Sequence, residues 1–237
     1  MILIVVLDGL RPDLITPDAM PYLSRMAAGG AACTDSHAVF PTATRINSAT
    51  LATGCLPGRH GIVGNELYAR AVDPLASVSC ADYRALQAVA AAEGEPLLSV
   101  PTLAERLRAA GRTMVAVGSG SPGTTYLLNP TGAGPVVNWA VAWPDSTQEE
   151  VIRRYGPMLD EATDSLTRTD FVLRALTEYL VPAQRPDVAV VWITEPDHAQ
   201  HHNGLGVPVA MEMLGEVDRR LEALVAHLEG EYPGALD

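Results

Sequence analysis

Ile2-Leu3-Ile4-Val5-Val6-Leu7-Asp8-Gly9 is the stretch that decides the fold. A short apolar run rich in β-branched residues, followed at once by an acidic residue and a glycine, predicts a buried strand that ends in a turn. It is far below the roughly 20 residues of a membrane span. No basic region precedes it and no small-residue cleavage site follows it, so it does not read as a signal peptide.

Outward from that strand the same signal recurs. Residues 188–194 read as a central strand and residues 112–117 as another. Helical patterns lie between them, at residues 21–28, 43–53, 101–110, 160–180 and 208–228. Pro101 and Thr102 open one of these, and Gly111 closes it. Leu214, Val217, Leu221, Leu224 and Leu228 recur at helical spacing in the last. Strands alternating with helices predict an α/β fold, doubly wound, with a mostly parallel central sheet flanked by helices. The whole of 1–237 reads as one domain, with 66–100 and 118–147 as loop or insert regions near the site. Residues 118–135, rich in Gly and Pro, read as a long loop.

The 237 residues are 48% hydrophobic, with a mean hydropathy of +0.12, which fits a globular chain rather than a disordered one. The net charge is −12 and all 16 basic residues are arginine. An acidic chain without basic clusters predicts no nucleic-acid groove, and the short apolar runs predict no membrane span. Three cysteines, in neither a CxxC nor a zinc-ribbon spacing, point to a reducing compartment, so a cytoplasmic location is the expectation. Oligomeric state leaves no mark in the sequence.

In open parallel sheets ligands collect at the carboxyl ends of the strands. Asp8 directly follows the first strand, and Glu195, Asp197 and His201 directly follow residues 188–194. Phe40-Pro41-Thr42-Ala43-Thr44 leads into a helix, with Thr42 or Thr44 near its start. Each has an ordinary reading by itself. Asp8 can form a turn, Thr44 can be a helix cap, and Asp197 and His201 can be a surface pair. Together they describe chemistry. Carboxylate oxygens and imidazole nitrogens suit zinc or a similar divalent ion. A hydroxyl at a helix start sits where amide N–H groups and the helix dipole favour an anion.

The run Phe40 to Asn65, FPTATRINSATLATGCLPGRHGIVGN, resembles the nucleophile segment of the nucleotide pyrophosphatase/phosphodiesterase family, within the alkaline phosphatase superfamily. That family reads P-T-x-T-F-P-N, then T-G-x-x-P-x-x-H-G-I-x-x-N. The resemblance puts the family's nucleophile on Thr44 and its phosphate-contacting Asn on Asn65. It puts the first metal-binding Asp on Asp8, and the E-P-D-x-x-x-H metal motif on Glu195 through His201. It implies two divalent metal ions, in most relatives zinc, one held by Asp8 and Thr44 and the other by Asp197 and His201. The implied activity is hydrolysis of a small-molecule phosphate ester, a phosphodiester or nucleotide pyrophosphate, through a phospho-threonine. Phosphonoacetate hydrolase-like or phosphomonoesterase activity shares the Thr nucleophile. A non-catalytic binder of phosphorylated ligands with an incomplete metal site is the reading from a different class.

Two departures qualify this. The family's later D-H-G motif and final His, which complete the metal shells, are absent, so the resemblance implies the N-terminal part of a truncated catalytic domain, with incomplete shells. Arg45 stands where diesterases commonly carry Phe, and can either pair with a substrate anion or lie solvated on its helix.

Rival motifs fare worse. Cys55-Leu56-Pro57-Gly58-Arg59 matches the sulfatase C-x-P-x-R but in the wrong register, after Thr53-Gly54 rather than at Thr44. The G-x-G-x-x-G of residues 118–123 needs a helix to start there and an acidic residue about twenty positions on, and Pro122 argues for loop. His60 reads as structural, and His202 can replace His201 as ligand if the register slips.

Overall fold

Seven strands form two sheets in the computed structural model, which describes residues 1–234 and 236: β1 (Ile2–Leu7), β2 (Glu66–Leu67), β3 (Val78–Ser79), β4 (Met114–Gly118), β5 (Val136–Asn138), β6 (Ala142–Trp143) and β7 (Val188–Ile193). The main sheet runs β1-β7-β4-β5-β6, parallel throughout except for the antiparallel β5–β6 pair, while β2 and β3 make a small antiparallel ribbon. The larger helices are α1 (Pro21–Gly29), α2 (Thr44–Thr53), α4 (Tyr83–Glu93), α5 (Leu103–Ala109), α7 (Asp145–Tyr155), α8 (Ser165–Ala175) and α11 (Pro208–Glu231). Shorter ones are α3 (Pro57–His60), α6 (Pro122–Leu127), α9 (Val181–Gln184) and α10 (Asp197–Asn203). Among the described residues no helix is long and apolar enough to cross a membrane.

The period-2 alternation of strands explains the two layers. Ala189, Val191 and Ile193 of β7 pack on one face with Val172, Leu176, Leu214 and Leu224. Val188, Val190 and Trp192 point the other way, onto Ala104, Leu128 and Val136. Every residue of β7 is buried, as a central strand requires. The first strand differs from its expected burial. It pairs only with β7, so it is an edge strand, and Ile2 is 64% exposed.

Three further expectations are corrected. Residues 118–135 are not a loop: Ser121 caps α6, whose Gly123 to Leu127 are all buried. Gly118 and Gly123 serve close packing, because a Cβ at the first would run into the Thr125 side chain and at the second into the Cys80 carbonyl. A helix therefore does follow the G-x-G-x-x-G, but its glycines are taken up by helix–sheet contact. Residues 66–100 contain the β2–β3 ribbon and α4, with Asp82 capping α4 through the Arg84 amide. The helix expected over 160–180 starts at Ser165, capped by Asp164, and passes through a π-helical turn at Leu176–Leu180 into α9.

One tertiary cap has no counterpart in the local sequence. No side chain at Met20 caps α1; instead the buried Asp218 of α11 accepts from the amides of Tyr22 and Leu23, at 2.8 Å each. Asp218→Ala leaves two amides of the first turn unpaired, and is expected to lower stability by about 2–3 kcal/mol. Urea unfolding reads this directly, and a loss below about 0.5 kcal/mol would show that water replaces the cap.

Candidate active site

Four elements converge at the carboxyl edge of the sheet. β1 ends in Asp8, and the Gly9 that follows has φ +69°, a left-handed conformation suited to glycine. A Cβ there would meet Asp197 at 2.9 Å, and the Asp197 amide donates to the Asp8 carbonyl at 3.0 Å, so the ends of β1 and β7 are laced together. Across from them α2 begins. Ala43, not Thr44, is the residue before its first turn, and it offers no side-chain cap. Thr44 is therefore not a capping hydroxyl. Its side chain lines the same cavity as the Asp8 carboxylate, while Ile46 and Ala49 on the opposite side of α2 are fully buried and fix the helix.

Asp197 and His201 lie on a helix, α10, rather than in a loop. Four residues apart, they share one face, with His201 Nε2 3.4 Å from Asp197 Oδ1. The alternative ligand, His202, is engaged elsewhere: its Nδ1 sits 2.8 Å from the His198 carbonyl and its ring lies 4.2 Å from that of His198 at a 37° tilt. An open cavity of about 740 Å³ takes in Asp8, Thr44, Arg45, Asn65, Asp197 and His201. All six residues singled out from the sequence thus face one space. Asn65 is exposed, its backbone carbonyl tied to the Cys80 amide at 2.9 Å.

Two side chains, Trp192 and Glu195, support this site in ways the sequence does not indicate. Trp192 Nε1 donates to Asp8 Oδ2 at 3.1 Å, reaching from the neighbouring strand. Glu195, read as part of a metal motif, is buried and points inward, accepting from Ser165 Oγ and from the Ala199 amide, so it anchors the start of α10. His60 is fully buried, with Nδ1 accepting from the Ile62 amide and Nε2 against Thr50 Oγ1, which is the structural role expected of it. Cys55 lies past the far end of α2, about 15 Å along the axis from Thr44, which removes the sulfatase register.

Burial, reinforced by the nearby charge of Asp197, pushes the Asp8 carboxyl up to about 6, against the opposing influence of Trp192, Thr44 and Arg45. A folded-state value above the ordinary 3.8 means the protonated form is favoured in the fold. That stabilisation is present in full below pH 3.8 and lost as pH rises through about 6. Ionised Asp8 then costs on the order of 2–3 kcal/mol, at about 1.4 kcal/mol per pH unit. Asp8→Asn is accordingly expected to stabilise the metal-free chain at pH 8 and to leave it unchanged near pH 4. Urea midpoints at the two pH values check this; destabilisation at both would contradict the strain assigned to Asp8.

That strain is also the test of whether a cation fits. Two carboxylates, an imidazole and a hydroxyl face one cavity, and Asp8 has no carboxylate–arginine or carboxylate–histidine ion pair among the described residues. The donor chemistry suits divalent ions. The gathering is partial: among the described residues no three of the His, Cys, Asp and Glu side chains come together as a ready metal cluster. Asp8 with Thr44, and Asp197 with His201, make two half-shells.

A mostly parallel sheet flanked by helices, with a hydroxyl at a helix start facing carboxylates at the strand ends, defines an alkaline phosphatase-like α/β fold. The phosphonoacetate hydrolase of Sinorhizobium meliloti 1021, solved with phosphonoacetate, superposes with a TM-score of 0.66 at 25% identity, over 97% of this chain and 53% of that one. Murine ectonucleotide pyrophosphatase/phosphodiesterase 5 superposes with a TM-score of 0.63 at 20% identity, over 97% and 52%, which shows the fold alone. Residues 2–232 match the type I phosphodiesterase/nucleotide pyrophosphatase family, and the chain belongs to that family, whose members are metal-dependent. In sequence, the venom phosphodiesterase CdcPDE of Crotalus durissus collilineatus is 27% identical over 225 residues, 94% of this chain and 23% of the relative. An ectonucleotide pyrophosphatase/phosphodiesterase of Caenorhabditis elegans is 24% identical over 231 residues. The chain thus spans about a quarter of the length of the relatives it matches in sequence and about half that of the solved structures.

Proposed function

We propose that the protein hydrolyses phosphate esters, a phosphodiester or nucleotide pyrophosphate foremost, through a phospho-threonine on Thr44. The observation that carries this is the Thr44 hydroxyl, set at the start of α2 and sharing one cavity with Asp8, Asp197 and His201. Family membership supports the reaction type.

Two divalent ions, zinc in our reading, would be held by Asp8 with Thr44 and by Asp197 with His201. When bound, such ions lower the pKa of the attacking hydroxyl and neutralise charge on the transferring group. The rest falls to the chain's own side chains. Asp8, across the cavity wall from Thr44, is placed to orient the threonine oxygen. The uncapped first-turn amides of α2 and the exposed Asn65 amide offer donors to the phosphoryl oxygens. Attack by Thr44 Oγ on phosphorus forms the P–O bond to threonine and expels the alcohol or phosphate leaving group. Water then cleaves that P–O bond and releases Thr44.

A second reading is phosphonoacetate hydrolase-like or phosphomonoester chemistry. It is favoured by Arg45, which replaces the Phe of diesterases and lines the cavity, and by the likeness to the Sinorhizobium meliloti hydrolase. Rates on a chromogenic diester, a monoester with the same leaving group and phosphonoacetate, side by side, separate the two. A diester rate about tenfold or more above the others supports the leading reading. A dominant phosphonate or monoester rate selects the second. A chain that binds phosphate but turns over none of the three is a binder.

A further inference from the structure

Arg45 forms the border between two spaces. On one side is the cavity with Thr44; on the other lies a second cleft of about 780 Å³, lined by Arg84, Trp139, Arg168 and the Ser119–Pro122 turn, and sharing Arg45, Asp197 and His201 with the first. Three arginines of an acidic chain therefore face one cleft beside the candidate nucleophile. None of them makes a carboxylate ion pair among the described residues, although eight other arginines do.

Two of the three are held in position by the surrounding chain. The Arg45 guanidinium donates to Ser121 Oγ at 3.1 Å, and its buried Nε has no partner. The Arg168 guanidinium carbon sits over the Trp139 ring, 3.8 Å from its centroid, and the group donates to the Glu161 carbonyl at 2.6 Å; its buried Nε likewise has no partner. Trp139 is itself locked by its indole N–H on the Gly120 carbonyl at 2.7 Å. Only three buried side-chain polar atoms among the described residues lack a partner, and two are these arginine nitrogens. Both side chains line the cleft and neither has a carboxylate within ion-pair distance among the described residues, so their guanidiniums are arranged to meet an anion that enters it. Of the carboxylates on the cleft, Asp82 is engaged on the Arg84 amide and Asp197 faces His201, which leaves Glu161 at the exposed edge.

We propose that Arg45 and Arg168, with Arg84 at the rim, form a second anion site, so that the preferred substrates are phosphoesters carrying a further carboxylate or phosphate group. This rests on the Thr44 reading, since the first cavity must hold the reacting phosphoryl group. Arg45 bridges the two sites; Arg168, over the Trp139 ring, sets which leaving or ester group is accepted.

The test is calorimetric titration of the full chain, in the presence of zinc, with ω-phosphonoalkanoates of one to five methylenes and with ethylphosphonate as the one-anion reference. One chain length is expected to bind about tenfold or more tighter than ethylphosphonate. Arg168→Met should remove that gain while ethylphosphonate stays within about twofold, and Arg168→Lys, which keeps the charge without the planar fork, should restore part of it. α,ω-Bisphosphonates of the same lengths distinguish a phosphate-bearing from a carboxylate-bearing partner, and a length optimum in either series supports the site. A flat length series, or a gain that survives Arg168→Met, overturns it while leaving the Thr44 reading intact. Failure of every phosphonate, ethylphosphonate included, overturns both.

Discussion

Thr44→Ala is expected to lower phosphodiester turnover by about 10⁴-fold or more while leaving the fold intact. The size follows from the role. Without the hydroxyl there is no oxygen to attack phosphorus and no covalent intermediate, so a residual rate comes only from binding and from water acting directly. The fold is spared because Thr44 contributes little to packing: it lies on the cavity side of α2, whose hold on the core comes from Ile46 and Ala49. Its side chain makes no hydrogen bond within 3.5 Å among the described residues, so its loss costs about 1 kcal/mol at most. Thr44→Ser keeps the nucleophile and should retain most of the rate. Steady-state kinetics with a chromogenic diester, alongside urea unfolding, check both halves. A mass increment on the Thr44 peptide after acid quench reports the intermediate. Turnover within tenfold of the parent in Thr44→Ala would remove Thr44 from its role.

Exhaustive chelation should be nearly as damaging, abolishing activity to below about one part in 10³, with zinc restoring it. The reason lies in the geometry of the carboxylates. Asp8 is driven toward its protonated form by burial and by the charge of Asp197, a cost that a bound cation turns into an attraction. Asp197 and His201 stand 3.4 Å apart on one face of α10, with 76% of the His201 side chain exposed, so their mutual pairing is weak and the imidazole is free to turn toward an ion. Asp197→Ala or His201→Ala should therefore raise the zinc concentration needed for half-activity by about tenfold to a hundredfold, with little change in stability. Metal analysis adds a discriminating count, because a non-catalytic binder should hold fewer than two ions per chain. Activity that survives chelation would count against metal catalysis.

Much of the sheet was legible because strand signals are local. The runs ending at Leu7 and Ile193 gave the positions of β1 and β7 to within a residue, and Thr102 with Glu105 forms the capping box that opens the helix expected after Pro101. Composition misled where local rules were overruled by packing. Gly118 and Gly123 read as loop glycines, yet they are small because Thr125 and the Cys80 carbonyl press against them. β1 read as buried, but burial depends on what pairs with its far side, and that is not written in the strand itself. Asp197 and His201 read as a loop pair and proved to be a helical one, a change that fixes which of His201 and His202 faces the cavity.

The amino-acid sequence by itself picked out the candidate site residues, Asp8, Thr44, Asn65, Asp197 and His201, and placed Asp8 after a strand and Thr44 at a helix start. Periodicity, caps and short motifs act over a few residues and survive in a linear reading. Only the tertiary structure decided that Trp192 supports Asp8, that Asp218 caps α1 from about 200 residues away, that Glu195 turns inward, and that Arg45 and Arg168 share a cleft. Those contacts join residues far apart in the chain. Their geometry is set by how helices and strands pack, and side-chain direction at such distances has no local signature.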